Sequence, residues 1–128
     1  VLFSIADRDK EEAAKIAREF MNIGFKLYAT RHTCQYFRKQ GLPAMEVSAC
    51  EAISFIREDK IQLLINTPSM GKNPLRLGFQ LRRAAMEFNV MSVTSLDTAW
   101  AVLSVIKANL KDLYAIPLNE YLPYKQSS

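Results

Sequence analysis

Short apolar runs alternate with amphipathic segments five times along this chain, and that rhythm leaves few folds open. Strands separated by helices form right-handed crossovers, so they line up in parallel in one sheet that needs helices on both faces. The expected strands are residues 1–6, 25–29, 44–47, 61–65 and 90–93. The first helix starts at Asp9-Lys10-Glu11-Glu12, which reads as a capping box. Ala13, Ile16, Ala17, Phe20 and Met21 recur behind it at helical spacing. Gly24 stands where a left-handed cap ends that helix. A second helix is expected over 30–40, ended by Gly41, and a short third over 49–58 behind the capping pattern Ser48-Ala49-Cys50-Glu51. Leu81, Ala84, Ala85 and Phe88 mark a fourth, and 97–107 a fifth with Ala99, Val102, Leu103 and Ile106 inward. The fold class is therefore α/β, a three-layer αβα domain around a five-stranded parallel sheet.

The chain's 128 residues fit one such domain. Residues 1–108 are expected to form it. From Asn109 helical periodicity fades, and Pro117, Pro123, Tyr114, Tyr121 and Tyr124 suggest an extended tail over 109–128, packed on the domain or on a neighbour. Gly71 to Gly78, with Asn73-Pro74, reads as a loop. No apolar run approaches membrane-helix length, and no leader pattern precedes the first strand. A start at Val1 reads as a mature terminus or an excised piece. The formal charge of +4 is spread along the chain without an arginine-rich run among exposed aromatics, so nucleic acid is not an expected partner.

Metal and nucleophile chemistry find little support. Cys34 and Cys50 lack metal or redox spacing and read as reduced thiols at helix starts of a cytoplasmic protein. His32 is the one histidine. There is no GxGxxG after the first strand and no GxxxxGK[ST]. A catalytic set drawn from Ser4, His32 and Asp97 has nothing in the sequence to hold it together. Trp100 reads as core, and of Arg82 and Arg83 one is expected in a structural ion pair. No catalytic and no metal-binding residue is expected.

A doubly wound sheet binds ligands outside the carboxyl ends of its strands, where the strand order reverses. There the chain carries Ser4 and Lys10 after the first strand, Ala29-Thr30-Arg31-His32-Thr33 after the second, and Asn66-Thr67-Pro68-Ser69 after the fourth. Thr30 and Thr33 fall at the cap and first turn of a helix, where free amides and the helix dipole favour anions. The same residue types also serve simply as caps and turns. The site set is Lys10, Thr30, Thr33, Asn66, Thr67, Ser69 and Ser4, and its expected ligand is a small anion.

At these strand ends the sequence resembles a known family. Residues 4–10 (SIADRDK), 24–30 (GFKLYAT) with Thr33, and 65–69 (INTPS) look like the methylglyoxal-synthase-like fold, and more narrowly like the C-terminal allosteric domain of the carbamoyl phosphate synthetase large chain. Residues 78–85 (GFQLRRAA) and 94–99 (TSLDTA) extend the likeness. The resemblance implies strand order 3-2-1-4-5 and a regulatory pocket. It implies UMP or IMP as effector in microbial enzymes and N-acetylglutamate in the ammonia-dependent urea-cycle form, serving pyrimidine and arginine synthesis. The implied partners are the rest of the large chain, its glutaminase subunit and homo-oligomer contacts. This domain would need no cofactor, whereas the parent enzyme would use ATP and Mg or Mn. The compartment is cytoplasmic, or mitochondrial for the urea-cycle form.

One departure bears on the effector. Nucleotide-binding relatives carry a lysine and a Glu-Gly-x-Pro segment between strand three and helix three, whereas here Val47-Ser48-Ala49-Cys50-Glu51 passes straight into helix. A charge-assisted hydrogen bond contributes about 1.5–3 kcal/mol, so its loss weakens a nucleotide by roughly one to two decades. Two other readings remain. One is a free-standing lyase like methylglyoxal synthase, whose Gly-Gly-Asp segment is absent and for whose carboxylate base only Asp7 and Asp9 remain. The other is a vestigial domain that supports oligomer contacts.

Overall fold

A computed structural model describes residues 1–68 and 77–115, for 77 and 111–115 the backbone alone. The order of elements is β1 (Leu2–Ser4), a 3-10 turn (Asp7–Asp9), α1 (Lys10–Asn22), β2 (Tyr28–Ala29), α2 (Arg31–Lys39), β3 (Met45–Glu46), α3 (Ala49–Arg57), β4 (Leu63–Asn66), α4 (Leu77–Glu87), β5 (Met91–Val93) and α5 (Leu96–Ala115). All strand pairs are parallel and the order is β3-β2-β1-β4-β5, as the resemblance implied. The chain lays β2 and β3 on one side of β1, then returns to lay β4 and β5 on the other. The reversal falls between β1 and β4, so the ligand-binding crevice of such a sheet lies there.

The pleat sorts the core into two layers. Leu2 pairs in register with Leu64 and faces Ala52, Ile56, Leu81 and Ala85 of α3 and α4. Phe3 pairs with Ile65 and faces the other layer, with Ile16, Phe20, Phe37, Ala99 and Leu103 of α1, α2 and α5. Phe3 is fully buried and meets Phe20 and Phe37 edge to face, at 6.5 and 5.2 Å between ring centres. Trp100 is half-buried against this layer.

The helix ends show which local signals held. Ser48 and Glu51 form the reciprocal capping box, with bonds of 3.2 and 3.1 Å. Gly24 and Gly41 take φ of 98° and 81°, the left-handed geometry that closes α1 and α2. The box expected at Asp9 does not form. The chain enters α1 through the 3-10 turn, the Asp9 amide bonds to the Ala6 carbonyl, and its carboxylate sits 3.6 Å from Arg8. Gly78, read as loop, lies inside α4. Helix α5 continues past Lys107 to Ala115, beyond the expected end, because its sequence holds no glycine or proline before Pro117 and keeps apolar residues at helical spacing at 103, 106, 110 and 113. Residues 69–76, most of the expected loop, and 116–128 of the expected tail lie outside the described residues.

Candidate functional site

The carboxyl end of β1 sits between those of β2 and β4, and side chains from both neighbours converge on it. Ser4, half-buried, ends β1 in register with Asn66 of β4. Beyond Ser4 the backbone leaves the sheet, so the amides of Ile5 and Ala6 lose their ladder partners. Two buried threonines replace them. Thr33 Oγ1 accepts from the Ile5 amide at 3.0 Å, and Thr67 Oγ1 accepts from the Ala6 amide at 2.8 Å. A hydroxyl that accepts still has its own proton to give. Both hydroxyls are thus held in place by the fold and retain a donor.

Thr30 occupies the N-cap of α2, is buried, and makes no capping bond with its side chain. Its backbone amide bonds to the Phe3 carbonyl at 3.1 Å, which fixes the start of α2 beside the end of β1. The first turn of α2 carries no acidic residue. Its amides and the positive end of its dipole therefore lie beside the threonines without a built-in counter-charge.

Asn66 is held on three sides. Its Nδ2 donates to the Ser4 carbonyl at 3.4 Å, and its Oδ1 accepts from Arg82 Nη1 of α4 at 2.5 Å. Gly78, one turn earlier on α4, leaves the space the amide fills: a Cβ there would lie 2.8 Å from Asn66 Nδ2. One of Arg82 and Arg83 is expected in a structural ion pair; the Arg82 guanidinium reaches a neutral side chain at the strand end instead. Helical periodicity marks Leu81 and Ala85 as inward but says nothing about where Arg82 reaches, so sequence reasoning missed it as a member of this cluster.

Lys10 stands at the first position of α1 and its ammonium is 2.5 Å from Asp7 Oδ1. The lysine is largely covered, whereas Asp7 is exposed. That hydrogen bond, followed by the lysine's charge, holds the Asp7 carboxyl below the usual carboxylate range, and the nearby His32 adds to the effect. Arg8 reaches across to the Pro68 carbonyl at 2.9 Å and ties the segment after β1 to the end of β4. Of the expected set, the fold places Ser4, Thr30, Thr33, Asn66 and Thr67 around one strand end. Lys10 begins the helix that follows, and Ser69 lies outside the described residues.

Other chemistry finds no assembled site among the described residues. His32 and Asp97 are exposed at the starts of α2 and α5, and no hydrogen bond links them to Ser4. Among the described residues no group of three or more His, Cys, Asp or Glu side chains is arranged to hold a metal ion. Among the described residues no helix is long and apolar enough to cross a membrane. Cys34 is buried, with its thiol pushed up by burial and donating to the Ala44 carbonyl, while Cys50 is exposed. At the opposite end of the sheet, a depression of about 680 Å³ is lined by Gly24, Lys26, Tyr28, Lys60 and Gln62 among others.

The profile of the MGS-like domain matches residues 12–94, a span that holds Thr30, Thr33, Asn66, Thr67, Gly78 and Arg82. Over 122 residues, 94% of its length, the chain is 37% identical to the carbamoyl phosphate synthase large chain of Caldanaerobacter subterraneus subsp. tengcongensis. That stretch is 11% of the relative, so the chain spans only a small part of a much longer protein. Among solved structures it is similar to methylglyoxal synthase from Elizabethkingia anophelis, with a TM-score of 0.62, 15% identity, and 80% of this chain and 76% of that chain covered. At that identity the likeness is one of fold.

Proposed function

Because this chain belongs to the MGS-like domain family, we propose that it serves as the effector-binding domain of a carbamoyl phosphate synthase large chain, taking a small anion in the crevice between β1 and β4. The observation that carries the reading is the convergence of Thr30, Thr33, Asn66 and Thr67 on the end of β1, beside the helix start of α2. Anions are held by such sets of hydroxyl, amide and helix-terminal N–H donors. Lys10 supplies a charge once its link to Asp7 is exchanged for the ligand, with Ser4 and Ser69 as further hydroxyls.

Nucleotide monophosphates and N-acetylglutamate are the two proposed effector classes. The direct passage from β3 into α3 omits the lysine a nucleotide phosphate would use, which weakens the nucleotide arm of the proposal. A ligand here regulates a distant reaction only through different affinities for two states of the whole enzyme. The rest of the large chain and its glutaminase subunit are the partners such coupling needs. ATP and its metal would be bound outside this chain.

A lyase reaction is disfavoured by the carboxylates. A general base works best with a pKa near the working pH, whereas Asp7 is pushed down by Lys10 and Asp9 lies beside Arg8. Calorimetry with UMP, IMP and N-acetylglutamate tests the proposal. Binding at millimolar or better to at least one, weakened by Thr30→Ala, is expected. Binding to none, or phosphate release from dihydroxyacetone phosphate, would overturn it.

A further inference from the structure

We infer that Arg82 is a positioning residue: by donating to Asn66 Oδ1 it fixes which end of the Asn66 amide faces the strand end, so that the crevice is offered a donor rather than an acceptor. The inference rests on the anion-binding reading above and deepens it. A carboxamide has two nearly isosteric faces, one that accepts and one that donates, and turning it over reverses the polarity it presents. Asn66 is 98% buried by its 2% exposure, so water cannot choose between the two orientations. Its partners choose instead. A guanidinium has donors and no acceptor, so the oxygen must face Arg82, at 2.5 Å. The nitrogen then faces Ser4, whose carbonyl accepts at 3.4 Å and whose own lone pairs would repel the amide oxygen.

Gly78 completes the arrangement. It leaves room for the Nδ2 edge where any Cβ would stand 2.8 Å away. Among the described residues Ser4 takes one of the two Nδ2 protons, and the other belongs to an amide lying in register beside β1 at the point where the strand order reverses. For an anion, a turned amide would replace attraction by repulsion. The device therefore sets the ligand's sign without placing a charge in direct contact with it.

The inference is tested on the 128-residue chain by comparing Arg82→Lys, which keeps a donor-only partner, with Arg82→Gln, whose own amide can donate or accept. UMP and inorganic phosphate serve as probes. Arg82→Gln is expected to lower affinity about tenfold, the worth of one hydrogen bond, and Arg82→Lys to restore it to within about threefold. In an Asn66→Ala background, Arg82→Gln is expected to change affinity less than about twofold, because a residue acting through its neighbour is not additive with it. A further full tenfold loss there would mean that Arg82 touches the anion itself and would overturn the inference. Side-chain amide NMR gives a ligand-free readout. Cross-peaks from the Asn66 Nδ2 protons to the Gly78 α-protons are expected in the parent and in Arg82→Lys, and weakened in Arg82→Gln. Unchanged cross-peaks in Arg82→Gln would overturn the inference. If the parent binds neither probe nor N-acetylglutamate, the effector reading fails, and the NMR comparison still decides whether Arg82 sets the amide.

Discussion

At the scale of single residues, the strand end is built from side chains that replace lost backbone partners. Thr67 makes this measurable. Thr67→Val keeps the shape but leaves the buried Ala6 amide without its acceptor. Orphaning a buried donor costs about 1–3 kcal/mol, which a denaturant titration should register, whereas Thr67→Ser should stay within about 1 kcal/mol of the parent. Asp7 contributes to the pH dependence in the acid range. Its pKa is depressed in the fold, so the stabilisation it brings is present above its ordinary value and fades as pH falls through the lowered one, in the acid range below about 4. Asp7→Asn should remove that part of the acid loss. It should also free Lys10 at neutral pH and raise anion affinity by up to about fivefold, the range of an exposed ion pair, as read by calorimetry. An unchanged affinity would remove Lys10 from the site. The hydroxyl and amide residues were legible in the sequence because donors cluster after apolar runs at strand ends. Arg82 was not, since its role depends on how α4 is rotated against β4, which periodicity fixes only for the apolar face.

At the scale of elements, local chemistry succeeded where a single pattern controlled the outcome. The Ser48 box and the glycines at 24 and 41 end or begin helices as read. Ser48→Ala should therefore cost about 0.5–2 kcal/mol, typical of a lost N-cap, and should leave the crevice intact because α3 packs on the opposite layer from α2. A drop in stability below that range in the unfolding midpoint would show that the cap is held by tertiary contacts instead. Asp9 failed as a cap for a reason outside its own tetrapeptide: a preceding 3-10 turn had already placed its backbone in helical geometry. The extent of α5 was under-read: apolar residues at 103, 106, 110 and 113 keep the helical spacing past Asn109, and the prolines and tyrosines that follow drew the expected tail forward into the helix.

At the scale of the molecule, the alternation of strand and helix determined the class, and the residues at the strand ends determined which doubly wound sheet it is. Order 3-2-1-4-5 follows from the resemblance rather than from periodicity, because nothing in an isolated strand says which neighbour it will take. The same topology puts the threonines, Asn66 and the start of α2 at one end, and the lysine-lined depression of Gly24, Lys26 and Lys60 at the other. Two basic or donor-rich surfaces thus compete as anion sites, and they are separated by the length of the sheet. Their separation allows one measurement to choose between them. Backbone and side-chain amide NMR during titration with UMP and with N-acetylglutamate should show saturable shifts concentrated at Ser4, Thr30 to Thr33, Asn66 and Thr67, with Lys26, Lys60 and Gln62 unmoved. Saturable shifts confined to Lys26, Lys60 and Gln62, or no saturable shift with either ligand, would contradict an effector site at the carboxyl ends of the strands.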